Sequence, residues 1–143
     1  MLKGIPKIIS PELLKIIAEM GHGDEIVIAD GNFPSVTNAQ RLVRCDGHPI
    51  PPLLDAILAL MPLDQYVDQP VSLMGVVPGD DTKPTIWDEY RHIVAKYDDR
   101  AADFAFVERF AFYDRAAGAF AVVATGESAL YANLILKKGV RTE

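Results

Sequence analysis

The apolar positions of the chain switch repeatedly between a helical and an extended rhythm, which predicts helices and strands in alternation. Leu13, Ile17 and Met20 share one helical face. Ser10 can cap that helix, and Pro11 suits its first position, where a missing N–H does no harm. Gly21 is expected to supply a left-handed stop. Residues 25–29 then form a short apolar run of strand length, and 41–45 read as a second strand after a loop through Gln40. Pro51-Pro52 opens a helix carrying Leu53, Leu54, Ile57, Leu58 and Met61, closed by Pro62.

The same reading places a third strand over 71–77, ended by Pro78-Gly79-Asp80-Asp81. Ile86, Tyr90, Ile93, Val94 and Tyr97 mark an amphipathic helix, and the charged run at 98–100 separates it from a strand at 104–107. A shorter helix is expected over 110–117, strands over 119–124 and 133–136, and a turn or short helix at 128–131. Alternation of this kind predicts an α/β fold. The expected form is a single three-layer domain over residues 1–143, its central β-sheet covered by helices on both faces.

Composition narrows the function. The chain has 143 residues, is half apolar and carries a net charge of −6, which argues against a nucleic-acid partner because phosphate binding needs a basic face. No apolar run approaches the roughly 20 residues of a membrane span. Lys3 and Lys7 flank a stretch too short for a secretory signal, so the cytoplasm is the expected compartment. Cys45 is the only cysteine, which excludes an intrachain disulfide. His48 and His92 have no ligand partners at metal spacing, and Asp80-Asp81 reads as a solvated loop. The glycines around His22 lack the spacing of a dinucleotide fingerprint.

His22 is the leading candidate for chemistry, since imidazole titrates near neutrality and glycines on both sides leave it accessible. Its alternative is contact with helix C-terminal carbonyls. Asp30 ends the first strand, where α/β sheets place ligand-binding groups; an Asx turn onto Gly31 or Asn32 is the competing role. Asp24 is a second possible orienting group for His22. Arg109 offers guanidinium donors suited to hydroxyls, against a surface pair with Glu108 or Asp114. Tyr113 is a further polar candidate, while Phe110 and Phe112 read as core. Tyr131 combines an apolar face with a hydroxyl, Asn133 a donor with an acceptor, and Ala132 offers backbone groups alone. Trp87 is expected in core or interface.

Three segments carry a resemblance: the run from Gly21 to Asp30 followed by Phe33-Pro34, the Arg109-Phe110-Ala111-Phe112-Tyr113 stretch, and Gly126-Glu127 with the run from Tyr131 to Gly139. Together they resemble the L-fucose mutarotase / D-ribose pyranase family over nearly the whole chain. The resemblance implies a cofactor-independent isomerase with His22 as proton donor. It places Asp30, Arg109, Tyr113, Tyr131, Ala132 and Asn133 on the sugar, with no metal. Asp30-Gly31-Asn32-Phe33-Pro34 and the arginine–phenylalanine segment are closer to the fucose branch, implying exchange of L-fucose anomers. It further implies a ring-like homo-oligomer, a decamer among the sizes it admits, with sites near subunit boundaries. The alternatives are D-ribose pyranase activity and a non-catalytic monosaccharide-binding protein for transport or regulation.

Overall fold

The computed structural model describes residues 1–143. In chain order its elements are α1 (Pro11–Glu19), β1 (Glu25–Ala29), α2 (Ser35–Asn38), β2 (Leu42–Cys45), α3 (Ile50–Leu58), β3 (Val71–Met74), α4 (Ile86–Tyr97), a 3₁₀ turn (Asp99–Ala102), β4 (Ala105–Val107), α5 (Arg109–Gly118), β5 (Ala121–Thr125) and β6 (Leu134–Lys137). The six strands form one sheet in the order β2-β5-β1-β6-β3-β4. β2, β5 and β1 pair in parallel, as do β3 and β4. β6 runs against both of its neighbours, β1 and β3.

Side-chain alternation divides the core between the two faces of the sheet. Ile26 and Ile28 of β1, Val123 of β5 and Leu134 and Leu136 of β6 join α1, α3 and α4 in a cluster of 29 buried residues. Val27, Ala29, Val122 and Ile135, the alternate positions, meet Phe33, Phe112 and Ala116 in a cluster of only 9. Helices therefore cover both faces, but one layer is much thicker than the other.

Several elements depart from the sequence expectation. α1 is capped as expected, Leu13 N–H donating to Ser10 Oγ at 3.1 Å. Its stop differs: Met20 turns extended at φ −63°, ψ 136°, and Gly23 rather than Gly21 takes the positive φ. Lys138 Nζ donates to the carbonyls of Ile17 and Met20, so the helix end is closed by an ammonium from β6's tail. β3 ends at Met74, short of Val77, because the chain turns out towards a cleft and Val77 N–H pairs with the Tyr131 hydroxyl. The expected loop before β2 contains the single turn α2, and the charged run at 98–100 enters the 3₁₀ turn. Phe110 is 65% exposed, against the expectation of core packing, because α5 buries only Phe112 and Ala116. No helix is long and apolar enough to cross a membrane.

Candidate functional site

The β5–β6 connection crosses over the C-terminal end of β1 and builds a cleft there. Gly126 makes this crossing possible, since a Cβ at that position would collide with the Asp46 carbonyl. Glu127, buried beside it, accepts from Ile50 N–H with one carboxylate oxygen and from Ser128 and Ala129 N–H with the other. The carboxylate thus ties the start of α3 to the connection. The crossing is closed by Gly31 N–H donating to Glu127 O at 2.8 Å and Asp30 N–H donating to Asn133 Oδ1 at 2.7 Å.

The resulting cleft, ≈340 Å³, is lined by Asp30, Arg109, Tyr113, Tyr131 and Asn133 among others. Five residues singled out from the sequence thus meet at the carboxyl ends of parallel strands, where open α/β sheets bind ligands. Asp30 is 8% exposed. Burial raises its carboxyl above the usual range; backbone N–H groups of Asn32, Phe33 and Ala132 work against this, and the nearby Glu127 charge adds to it. Its Oδ1 also accepts from Asn32 N–H at 3.0 Å, so the Asx turn and the cleft position coexist.

Tyr131 is the only non-glycine residue with positive φ, at 56°. That conformation is costly for a side chain this large and persists only when neighbours enforce it. α4 supplies the enforcement: Trp87 Nε1–H donates to Tyr131 O and Tyr90 O–H to Ala132 O, each at 2.8 Å. Trp87 therefore acts behind the site, its ring tilted against Phe106, rather than on its wall. Ala132 is fully buried, its carbonyl held by Tyr90. At the front, the Tyr131 hydroxyl donates to Asp80 Oδ2 at 2.5 Å. This bond raises the phenol above its usual range, while Thr82 and then Tyr131 lower Asp80. Asp80 lines the cleft, so the loop at 78–81 belongs to the site and is more than a solvated turn.

Arg109 sits at the start of α5, a cation at the positive end of a helix dipole. Glu108 offsets this by accepting from Phe110 and Ala111 N–H. Arg109 Nε–H donates to Tyr113 Oη at 3.2 Å, one turn along, so neither Glu108 nor Asp114 takes its guanidinium in a side-chain hydrogen bond. Phe33 closes the floor, edge-on to both Phe112 and Tyr113. Aromatic faces, a guanidinium and a carboxyl around one small cleft suit a polyhydroxylated ligand with C–H surfaces.

His22 lies elsewhere. It precedes β1, whereas Asp30 follows it, and a five-residue strand spans roughly 17 Å. Its Nε2 is 3.1 Å from Asp64 Oδ1, its ring is tilted against Tyr66, and its side chain is about half exposed. Asp24 is not its partner; that carboxylate accepts from Gly21 N–H at 2.7 Å. Asp64 went unnoticed in the sequence because 42 residues separate it from His22, with no local pattern linking them. No group of three or more His, Cys, Asp and Glu side chains is arranged to hold a metal ion.

A model of the RbsD / FucU transport protein family matches residues 3–141. The L-fucose mutarotase of Actinobacillus pleuropneumoniae serotype 5b is 50% identical over 140 residues, covering 98% of this chain and 97% of that one. The fucose mutarotase of Mus musculus is 53% identical over 144 residues, covering 96% and 94%. The crystal structure of a fucose mutarotase from Streptococcus pneumoniae in complex with L-fucose superposes with a TM-score of 0.94 at 55% identity, covering 99% of this chain and 100% of that one.

Proposed function

The chain belongs to the RbsD / FucU transport protein family, and from that premise we propose that it interconverts the α and β anomers of L-fucose. The observation that carries this reading is the cleft at the end of β1, where Asp30, Arg109, Tyr113, Tyr131 and Asn133 converge in a chain so similar to a fucose-bound mutarotase.

Mutarotation moves only protons and one C–O bond. The anomeric hydroxyl O1 loses its proton as the C1–O5 bond breaks, O5 takes a proton, and C1 becomes an aldehyde carbon. Rotation about C1–C2 and the reverse steps close the other anomer. The protein must supply a group that accepts at O1 and one that donates at O5, and must hold the sugar still between them. Such paired transfers contribute about 10²–10⁴-fold. Asp30 is one member: its buried carboxyl holds a proton more readily than a solvated one, which moves it towards the poise acid–base catalysis requires. Arg109 and Asn133 orient hydroxyls, while Tyr131, locked as a donor onto Asp80, presents its ring to the sugar's C–H face.

His22 is the second member of the pair. It cannot reach the cleft of its own chain across the length of β1, so a second copy supplies it, and the active form is a ring-like homo-oligomer with sites between subunits. Phe110 and Leu130, both large and exposed near the cleft, and Tyr66, exposed beside His22, are apolar surface suited to such contacts. The cytoplasm is the compartment this reading assigns, and the chemistry calls for no metal or redox cofactor. The test is NMR magnetisation transfer between the α and β signals of L-fucose, with chelator-dialysed protein. Accelerated exchange supports the reading. Binding without exchange would make this a sugar-binding protein, and exchange of D-ribose in clear preference would move the substrate to the other branch.

A further inference from the structure

Arg109 brings a full positive charge to the cleft, and its guanidinium bonds a neutral phenol, Tyr113, rather than a carboxylate. A cation left bare in this way would draw in sugars that carry a carboxylate or phosphate, since a guanidinium matches those groups with paired N–H bonds. Asp30 and Asp80 are the only acidic residues lining the cleft. Burial makes Asp30 hold its proton more tightly than a solvated carboxyl does. Asp80 is shifted the other way, below the usual carboxylate range, by its bonds from Thr82 and Tyr131. Asp80 is therefore the carboxyl that stays ionised in the same cleft as Arg109.

Its place there is built, although the loop is exposed. Asp80 Oδ1 accepts from Thr82 N–H at 2.8 Å and from the Thr82 hydroxyl at 2.6 Å. Asp80 N–H closes a turn onto Val77 O at 3.1 Å, with Gly79 supplying the positive φ of 88°. Val77 N–H donates to the Tyr131 hydroxyl at 3.4 Å, and that hydroxyl donates to Asp80 Oδ2. The segment is thus tied twice to one phenol oxygen. With its proton spent on Asp80, that oxygen can only accept from a ligand. Carboxylate and phenol together offer the cleft acceptors and no donor.

We propose that Asp80 is a specificity-determining residue: its charge offsets that of Arg109 and, with Tyr131 turned into an acceptor, selects an uncharged sugar over one carrying a carboxylate or phosphate. A neutral sugar has hydroxyl donors for these acceptors, whereas an ionised carboxylate has none and is repelled. Selection then works by rejection as well as by attraction. The substrate class rests on the mutarotase reading; the charge balance of the cleft does not.

The test is calorimetric binding of three probes to the assembled protein: L-fucose, L-galacturonate and L-fucose 1-phosphate. The two anions keep the ring configuration of L-fucose and carry their charge at opposite ends, so one of them meets Asp80 in either seating. Wild-type protein should bind L-fucose several-fold more tightly than either anion, and added salt should narrow the gap. Asp80→Asn keeps an oxygen for Tyr131 but removes the charge. It should improve the affinity for at least one anion, relative to L-fucose, by roughly two- to fivefold, the range of an exposed charge pair. Asp80→Asn with the wild-type preference against both anions would overturn the proposal. So would wild-type discrimination that salt leaves unchanged, a result that needs no variant to fold. Wild-type protein that prefers L-fucose to the anions but exchanges no anomers would defeat the mutarotase reading and leave the role of Asp80 standing.

Discussion

The two ends of β1 carry two carboxylates that the fold treats in opposite ways. Asp30, at the C-terminal end, is buried near the Glu127 charge, and although three backbone N–H groups donate to it, its proton is held more tightly than in water. Asp64, packed beside the N-terminal end, is also little exposed, but the Tyr66 N–H, His22 and the Lys137 charge hold its carboxyl below the usual range. Low residue exposure alone therefore does not decide what a carboxyl can do; the balance of desolvation against neighbouring charge does, with Glu127 beside Asp30 but His22 and Lys137 beside Asp64. One is suited to moving a proton, the other to holding a partner in place, a separation of roles that paired carboxylates achieve through environment.

The largest effect should come from removing His22, the proton-transfer group proposed for the far end. His22→Ala is expected to lower the exchange turnover by about 10²–10⁴-fold while L-fucose still binds, because proton transfer is worth most in the transition state. Saturation-transfer rates combined with calorimetry would separate the two quantities. Wild-type exchange in this variant would remove His22 from the mechanism and dissolve the comparison.

Asp30→Asn should also lose most exchange, and it sharpens the contrast through stability. A carboxyl whose folded value is raised contributes stability that is present below its unfolded value and lost as pH rises through the folded one. Asp30→Asn should therefore raise Tm at pH 7, with the gain shrinking as pH falls towards 3.8. Asp64 has the opposite sign: its contribution is present above the unfolded value and lost as pH falls through the depressed one. Asp64→Asn should lower Tm at pH 7, with the deficit shrinking in acid. Thermal melts across pH would check both, and shifts of the same sign would contradict the distinction.

A smaller effect is expected behind the cleft. Trp87→Phe keeps the ring but deletes the donor to Tyr131 O, leaving a left-handed turn with one fewer restraint. A lost hydrogen bond of about 1 kcal/mol corresponds to roughly fivefold weaker sugar binding. Calorimetry showing unchanged affinity would mean Tyr90 holds the turn unaided.

Much of this molecule was legible in its sequence, for local reasons. Ser10-Pro11, the apolar run of β1 and the helical face of α4 act over a few residues, and all three form where expected. The reversed direction of β6 was not legible, because strand pairing is set by packing of distant segments. Nor was the early end of β3, where Val77 N–H leaves the sheet for a hydroxyl 54 residues away. Of the candidate site residues, Asp30, Arg109, Tyr113, Tyr131 and Asn133 meet in one cleft, while Ala132 is buried behind it. Asp80 reads from the sequence only as part of a solvated loop, and Asp64 carries no local signal, because their partners lie 51 and 42 residues away.

The central claim is that one site needs both ends of β1 from different copies of the chain. Co-expressing His22→Ala with Asp30→Asn chains, each strongly impaired alone, tests it directly. Random assembly should restore L-fucose exchange at roughly a quarter of the sites, since that fraction pairs an intact cleft with an intact His22 from its neighbour. No restored exchange in mixed oligomers, confirmed as mixed by mass spectrometry, would contradict the account.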